Sequence, residues 1–355
     1  MSLSARLAQP SDANDITRLF NQQYDTYFGK FSDDEQLSSS LEDMHRAIDN
    51  GEQPWGTVYV LEDDTGVVGT SALKNNRPGW CEYSSTVIAP EARGGNGYSQ
   101  LHAKRREAHD SYYPDLKGYT QTVSFTAKSQ KGSLNAGFAP VGYSDGRFFE
   151  ANDGDGRIST VCMIDSTEDY TSNGTACLPD GSVKDGASKA LGNLNRQGAG
   201  IERCFENPGN EPGNLEVWTQ ATPAVGVARL RAMESSHPGS ETMPYDEAID
   251  WIETKRQNPK IKWLNIEVEA ASPAAYRMSQ DEDLEFERYQ ADGILTHDGW
   301  CDTLGLQDRP GGSRERRFIQ PAKDIIEETS IPYSHQEVAG EFSGTTVHGL
   351  EIGRE

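Results

Sequence analysis

The stretch Thr86-Val87-Ile88-Ala89-Pro90-Glu91-Ala92-Arg93-Gly94-Gly95-Asn96-Gly97-Tyr98-Ser99-Gln100-Leu101 decides how the rest of the chain is read. Its first residues are β-branched and apolar, as a strand requires, and Pro90 ends that run. Three glycines between Arg93 and Gly97 make a turn, and a helical pattern begins at Tyr98. A strand that feeds a Gly-rich turn and then a helix leaves several backbone N–H groups unpaired, at the positive end of the helix dipole. Such a start is a ready cradle for a pyrophosphate. The stretch lacks the Gly-Lys-Ser/Thr of a nucleotide P-loop, and the chain lacks the repeated strand–helix alternation of a dinucleotide fold. A plain Gly-rich helix start is the competing reading of the loop taken alone.

The elements on either side form an ordered series. Ser4 to Gln9 is an expected strand, and Pro10-Ser11-Asp12 opens a helix through Ile16, Leu19, Phe20 and Tyr24. Leu37, Leu41, Met44 and Ile48 mark a second helix that ends at Asn50-Gly51. Gly56–Leu61 and Val67–Leu73 flank a turn at Asp63-Asp64-Thr65-Gly66, the signature of a hairpin. Trp80 to Ala89 is a longer strand, Tyr98 to Tyr112 a helix, Tyr119–Phe125 a strand and Ser129–Asn135 a short helix. Phe138–Phe149 and Ile158–Ile164 complete a mixed α/β sheet flanked by helices. Three units follow from this: a first domain over 1–166, a Gly-rich connector over 167–200 with room for a helix around Ala187–Leu194, and a diverged second α/β domain over 201–355. In the second domain Leu215–Thr219, Val225–Met233, Ile261–Glu269 and Phe286–Leu295 read as strands, with helices at Tyr245–Arg256 and Pro273–Gln280. That order parallels the first half, which suggests a tandem repeat without a shared motif. Trp218, Trp251, Trp263 and Trp300 are expected in its core.

Composition removes several classes of function. The 355 residues carry 56 Asp and Glu against 33 Lys and Arg, a net charge of −23. A field of that sign repels DNA, RNA and anionic lipid, so no nucleic-acid partner is expected. No run of about 18 apolar residues offers a membrane span, and the N-terminus lacks the apolar core of a signal peptide, which points to a cytoplasmic protein. Five scattered cysteines show no metal-ligand spacing, so no metal is expected. Asn152-Asp153-Gly154-Asp155-Gly156 reads as a hairpin turn rather than a calcium loop. Acidic residues in both halves, with Lys scarce, suggest a chain built for a salt-rich cytoplasm.

Ile88-Ala89-Pro90-Glu91-Ala92-Arg93-Gly94 resembles, position for position, the signature of the GNAT superfamily of acyl-CoA-dependent N-acyltransferases. The element order from Ala5 to Ile164 resembles that fold as well, and Gly137-Phe138 resembles its later Gly-Phe strand. The resemblance implies acetyl-CoA as co-substrate, with Arg93, Gly94, Gly95, Asn96, Gly97 and Tyr98 at its pyrophosphate and Thr86, Val87 and Ile88 along its pantetheine arm. It implies an amine acceptor, small molecule or peptide. The second domain, which has no equivalent of the Arg93–Gly97 loop, is read as extending the sheet, covering the acceptor cleft or mediating a homodimer. Departures from the pattern stand at Asn96, where a glycine is usual, and at Tyr98, where a small residue is usual. Thr126 falls near a usual Asn, and Ser133 where a Tyr is common.

An amine is protonated in neutral water, so attack on a thioester requires a base. Strict alternation puts Trp80, Glu82, Ser84, Thr86 and Ile88 on one strand face, which makes Glu82 the candidate base. His102 and His109, seven residues apart, read as an exposed helix face, as do Lys104, Arg105 and Arg106. Two functions remain open at this stage: acyl transfer to an amine, and acyl-CoA binding or regulation without catalysis.

Overall fold

The computed structural model describes residues 2–28, 34–77, 79–123, 127–149, 157–170, 182–206, 214–222, 227–233, 241–258, 263–281, 284–296, 299–308, 321–322, 346–347 and 350–351. The first half runs β1 (Ser4–Leu7), α1 (Ala13–Phe28), α2 (Asp34–Asp49), β2 (Gly56–Asp63), β3 (Gly66–Arg77) and β4 (Trp80–Ile88). It continues with α3 (Gly97–Tyr112), β5 (Lys117–Val123), α4 (Ala127–Asn135), β6 (Phe138–Phe149) and β7 (Arg157–Asp165). Then come α5 (Ser182–Arg196), β8 (Asn214–Thr222), β9 (Val227–Met233), β10 (Glu241–Pro244), α6 (Tyr245–Gln257), β11 (Trp263–Glu269), α7 (Pro273–Met278), β12 (Glu285–Thr296) and β13 (Gly299–Asp308). The fold is a mixed α/β sheet flanked by helices.

Local chemistry sets the element ends. Gln9 N–H donates to Asp12 Oδ2 at 2.7 Å, and Arg6 holds the same carboxylate, so the chain turns into α1 with its first donors satisfied. In the β2–β3 hairpin Asp63 Oδ1 accepts from Thr65 N and Oγ1, and Gly66 takes φ +126°, which an L side chain rarely adopts.

Thirteen strands form one sheet in the order β1-β2-β3-β4-β5-β7-β6-β12-β13-β11-β9-β8-β10. Both arms, read outward from β6 and β12, repeat one sequence of pairings. In the first arm β6–β7 and β7–β5 are antiparallel, β5–β4 is parallel and β4–β3 antiparallel. In the second, β12–β13 and β13–β11 are antiparallel, β11–β9 is parallel and β9–β8 antiparallel. The arms meet where β6 and β12 run antiparallel, Gly142 opposite Arg288.

Within the stretch read as a Gly-rich connector, 167–200, the helix allowed around Ala187–Leu194 is present and longer, as α5. Val183, Ala187, Ala190, Leu191 and Leu194 form a buried stripe at helical spacing, in one apolar cluster with Trp80, Val141, Ile266 and Phe286. Asp185-Gly186, a turn signal in sequence, lies inside this helix. A Cβ on Gly186 would meet the Phe286 ring at 2.6 Å, so this glycine serves close packing rather than a turn. A second cluster, with Leu19, Leu41, Leu61, Leu73 and Leu101, joins α1, α2 and α3 to the first arm.

Strands β10 and β13 were not foreseen; of the four tryptophans expected in the core, Trp251 is half-buried and the side chains of Trp218, Trp263 and Trp300 lie outside the described residues. The Asn152–Gly156 turn also lies outside them. No described helix is long and apolar enough to cross a membrane.

Candidate active site at the fork of two strands

Two features of β4 build the site. Thr70 pairs with Val87 and Ala72 with Ser84, so Ser71 alone opposes both Ser85 and Thr86, a β-bulge. Ser85 takes φ +54° there, the one described non-Gly residue with positive φ. The extra residue flips the alternation. Tyr83 and Thr86, three apart, both reach α3: Tyr83 Oη bonds His109 Nδ1 at 2.8 Å, and Arg105 Nη1 donates to Thr86 Oγ1 at 3.2 Å. Thr86 therefore stands on Tyr83's face, not on Glu82's as strict alternation expected.

The second feature is a fork. β4 and β5 pair in parallel only at Trp80–Lys117, Cys81–Gly118 and Glu82–Tyr119. Thr120 Oγ1 then donates to Tyr83 O at 2.7 Å, and beyond it β5 follows β7 as far as Val123. Among the described residues, the rest of β4 has β3 on one side and no strand on the other. Glu82, half-buried, sits at the apex, with Lys74 its cross-strand neighbour on β3. In the second arm the equivalent parallel pair, β9–β11, stays zipped over six positions, Trp263–Val227 to Val268–Ala232.

Beyond the fork, Ala89 N–H bonds Val68 O, Ala92 bonds Ala89 O and Arg93 bonds Pro90 O. From Gly94 to Ser99 the backbone amides find no acceptor among the described residues, as the first turn of a helix dictates. Gly94 takes φ +81°, whereas Asn96 is at φ −85° and caps α3 without a side-chain hydrogen bond. The left-handed position of the turn is thus Gly94, and Asn96 needs no glycine-like freedom. Gly97 is the tight position, because a Cβ there would meet Leu61 Cδ2 at 2.5 Å. Arg93 is exposed and folds back to donate from Nε to Ile88 O at 2.9 Å; Val87 is buried and Ile88 half-buried.

Tyr98 does not project into the loop. Its ring lies over Gly132 of α4, and its hydroxyl is 3.2 Å from Ser133 Oγ. A phenol from α3 thereby occupies the place on α4 where the family resemblance leads one to look for a tyrosine. Thr126 lies outside the described residues.

Of the five α3 residues read as exposed, Arg105 and His109 are buried, whereas Lys104 stays at the surface. Gly97, Leu101, Arg105, Ala108 and His109 form the buried stripe of α3. The spacing of Leu101, Arg105 and Ala108 by four and three residues carried that signal in sequence; the charge on Arg105 obscured it. His102 packs against Tyr83, Tyr98 and Phe138. Arg106 is committed to Asp165 and Glu168. His109 Nε2 bonds Leu116 O, a pure acceptor, so Nε2 carries the proton and the neutral ring takes Tyr83 O–H at Nδ1.

Burial and the nearby Asp165 push Glu168 up to about 7 from 4.5, against the pull of Arg106 and Lys117. The native state therefore holds this proton where the unfolded chain has released it, and the stability it adds is lost as pH rises from 4.5 toward 7. Burial lowers His109, which slopes the other way as pH falls below 6.5. Glu168→Gln separates the two. Relative to that variant, the native chain is expected to lose on the order of 1–3 kcal/mol across this window, measured by urea unfolding at stepped pH. Parallel pH profiles would refute the assignment.

No protein-family model matches the sequence, and no curated protein sequence does. Several solved structures are similar in fold. An N-acetyltransferase from Staphylococcus aureus Mu50 is 18% identical, covering 46% of this chain and 98% of its own, with a TM-score of 0.37. An acetyltransferase from Salmonella typhimurium, solved with its cofactor acetyl-CoA, is 16% identical over 49% of this chain and 99% of its own, TM-score 0.39. A spermidine N-acetyltransferase from Vibrio cholerae, in complex with CoA and spermine, is 19% identical over 46% and 96%, TM-score 0.36. None of these likenesses assigns an activity to this chain.

Proposed function

We propose that the first arm is an acyl-CoA-dependent N-acyltransferase, with acetyl as the default acyl group, and that the second arm is a diverged repeat without that activity. The fork of β4 and β5 beside a bulged β4 and a helix start with free amides is the observation that carries this reading. A parted strand pair offers unpaired backbone groups to an extended thioester arm, as an added strand would use them. The Gly94–Ser99 amides offer donors and a positive dipole end to its pyrophosphate. The second arm keeps the same strand order with its fork closed, which supports a structural role for it.

In this reading Glu82 takes a proton from the acceptor ammonium, and the freed amine attacks the thioester carbon. Backbone N–H groups at the bulge from Thr86 to Ile88 steady the oxyanion. As the oxyanion re-forms the carbonyl and the C–S bond breaks, Tyr98 donates its phenolic proton to the departing thiolate. The acylated nitrogen releases its surplus proton to solvent, and solvent reprotonates Tyr98 and deprotonates Glu82. The net charge of −23 concentrates cationic amines near the surface, so polyamines are the first acceptors to try.

Free-thiol release from acetyl-CoA, with a panel of amines, tests the assignment. Glu82→Gln is expected to lower turnover ~10²-fold or more with CoA binding retained, and Tyr98→Phe to lower it ~10-fold. Tight CoA binding with no thiol release under any amine would favour the non-catalytic reading. Undiminished turnover in Glu82→Gln would remove Glu82 as the base.

A further inference from the structure

Arg105 lies two turns into α3 with 1% of its surface exposed, and no described carboxylate is within ion-pair reach. A buried guanidinium without a counter-charge is among the costliest groups a core can hold. Its Cζ lies over the rings of Tyr83 and Tyr98, 5.2 and 5.9 Å from their centroids, and the Tyr98 side chain also comes within hydrogen-bonding reach of the guanidinium. Thr86 Oγ1 takes Nη1 at 3.2 Å. Among the described residues Nε and Nη2 find no acceptor. Those two nitrogens form the side edge of the guanidinium, a parallel pair of N–H groups that matches the two oxygens of a carboxylate.

His102 Nδ1 on the same helix is likewise buried and unpartnered. Burial first, then Arg105 and Arg106, push His102 down to about 3, so its ring is neutral and adds no second positive charge beside Arg105. Thr86 belongs to the segment of β4 that β5 has left, which places the guanidinium beside the fork rather than under closed sheet.

We propose that the Nε–Nη2 edge of Arg105 is a carboxylate-binding subsite of the fork, selecting a substrate that carries a free carboxylate. Two sources share that chemistry: an acyl group with a second, terminal carboxylate, or an acceptor of the α-amino acid kind. The acyl source rests on the acyltransferase reading above; the subsite itself does not.

Calorimetric titration of the full chain with acetyl-CoA and succinyl-CoA, and thermal shifts with glycine and acetate, decide it. Succinyl-CoA is expected to bind at least ~10-fold more tightly than acetyl-CoA, with Arg105→Met closing that gap. Arg105→Lys should keep only part of it, since an ammonium has the charge without the fork. If the thioesters bind alike but glycine raises the melting point of the native chain and not of Arg105→Met, the carboxylate is the acceptor's and the subsite stands. If no CoA compound binds, the acyltransferase reading falls, and the glycine and acetate shifts alone decide the fate of Arg105. No carboxylate preference in either arm overturns the proposal. Folding supplies a further check: without ligand, Arg105→Met should melt ~2–5 °C higher, because an uncompensated charge leaves the core. A lower melting point would make Arg105 a structural prop and overturn the proposal as well.

Discussion

Gly142→Val is expected to destabilise the chain by ~3–5 kcal/mol or more, enough to unfold it or to separate its arms. Gly142 is the β6 residue paired with Arg288 of β12, the point where the two arms of the sheet meet. A Cβ there would overlap Glu287 O and the Arg288 Cα and Cβ, atoms of a paired strand with no rotamer to move aside. The surroundings offer no slack. Ser144 hydrogen-bonds Glu287, Arg288 bonds Glu287 and lies 3.5 Å from Glu267, and all four residues are buried. Forcing the strands apart would strip partners from a buried ionic group, which costs more than losing the pair together. Asn193 of α5 adds to the seam by donating to Pro140 O and Pro321 O, both at 3.0 Å. A glycine elsewhere provides the control. Gly192, inside α5, has nothing within 4 Å of its added Cβ, so Gly192→Ala should stabilise by up to ~1 kcal/mol through helix propensity. Urea unfolding of both variants measures the contrast. Near-equal effects would show that the seam between the arms is loose.

A melting temperature that climbs steeply with KCl is the second expected result. The net charge of −23 cannot be cancelled within the chain, because acidic residues outnumber basic ones in both halves. Folding gathers these charges onto one surface, whereas the unfolded chain spreads them, so repulsion weighs on the native state. At ~1 M salt the screening length falls to ~3 Å and that repulsion fades. An opposing effect exists and is smaller. Surface pairs such as Arg18–Asp15, Arg46–Asp43 and Lys104–Glu107 weaken as salt rises. Each is worth ~0.3–0.5 kcal/mol, too little to reverse the trend. Sucrose at matched water activity should not replace KCl fully, since it leaves the charges unscreened. A melting point that is flat between 0.1 M and 2 M KCl would sink the salt-adapted reading and leave the proposed chemistry untouched.

By itself the sequence determined the strand–turn–helix around Arg93, the element order of the first arm and the location of most strands of the second. These are local properties. Hydrophobic period, proline and turn dipeptides act within a few residues, and the observed limits of β4, β6 and α3 differ from the expected ones by a residue at most. The face-sharing of Glu82 and Thr86 was out of reach, because one inserted residue at Ser85 reverses the alternation, and a bulge is set by the neighbouring strand. The fork was out of reach for a similar reason: parting depends on β5 following β7 instead of β4. Arg105 and His109 were assigned to solvent by their polarity, yet their spacing from Leu101 and Ala108 puts them inside. Polarity states what a side chain costs to bury, and only the packed neighbours decide whether burial is met by a partner. Asp185-Gly186 makes the same point from the other side, since a dipeptide that favours a turn sits in a helix because Phe286 needs the space beside Gly186. The joining of two arms through Gly142 and Arg288 rests on contacts between residues far apart in the chain, which no local pattern encodes.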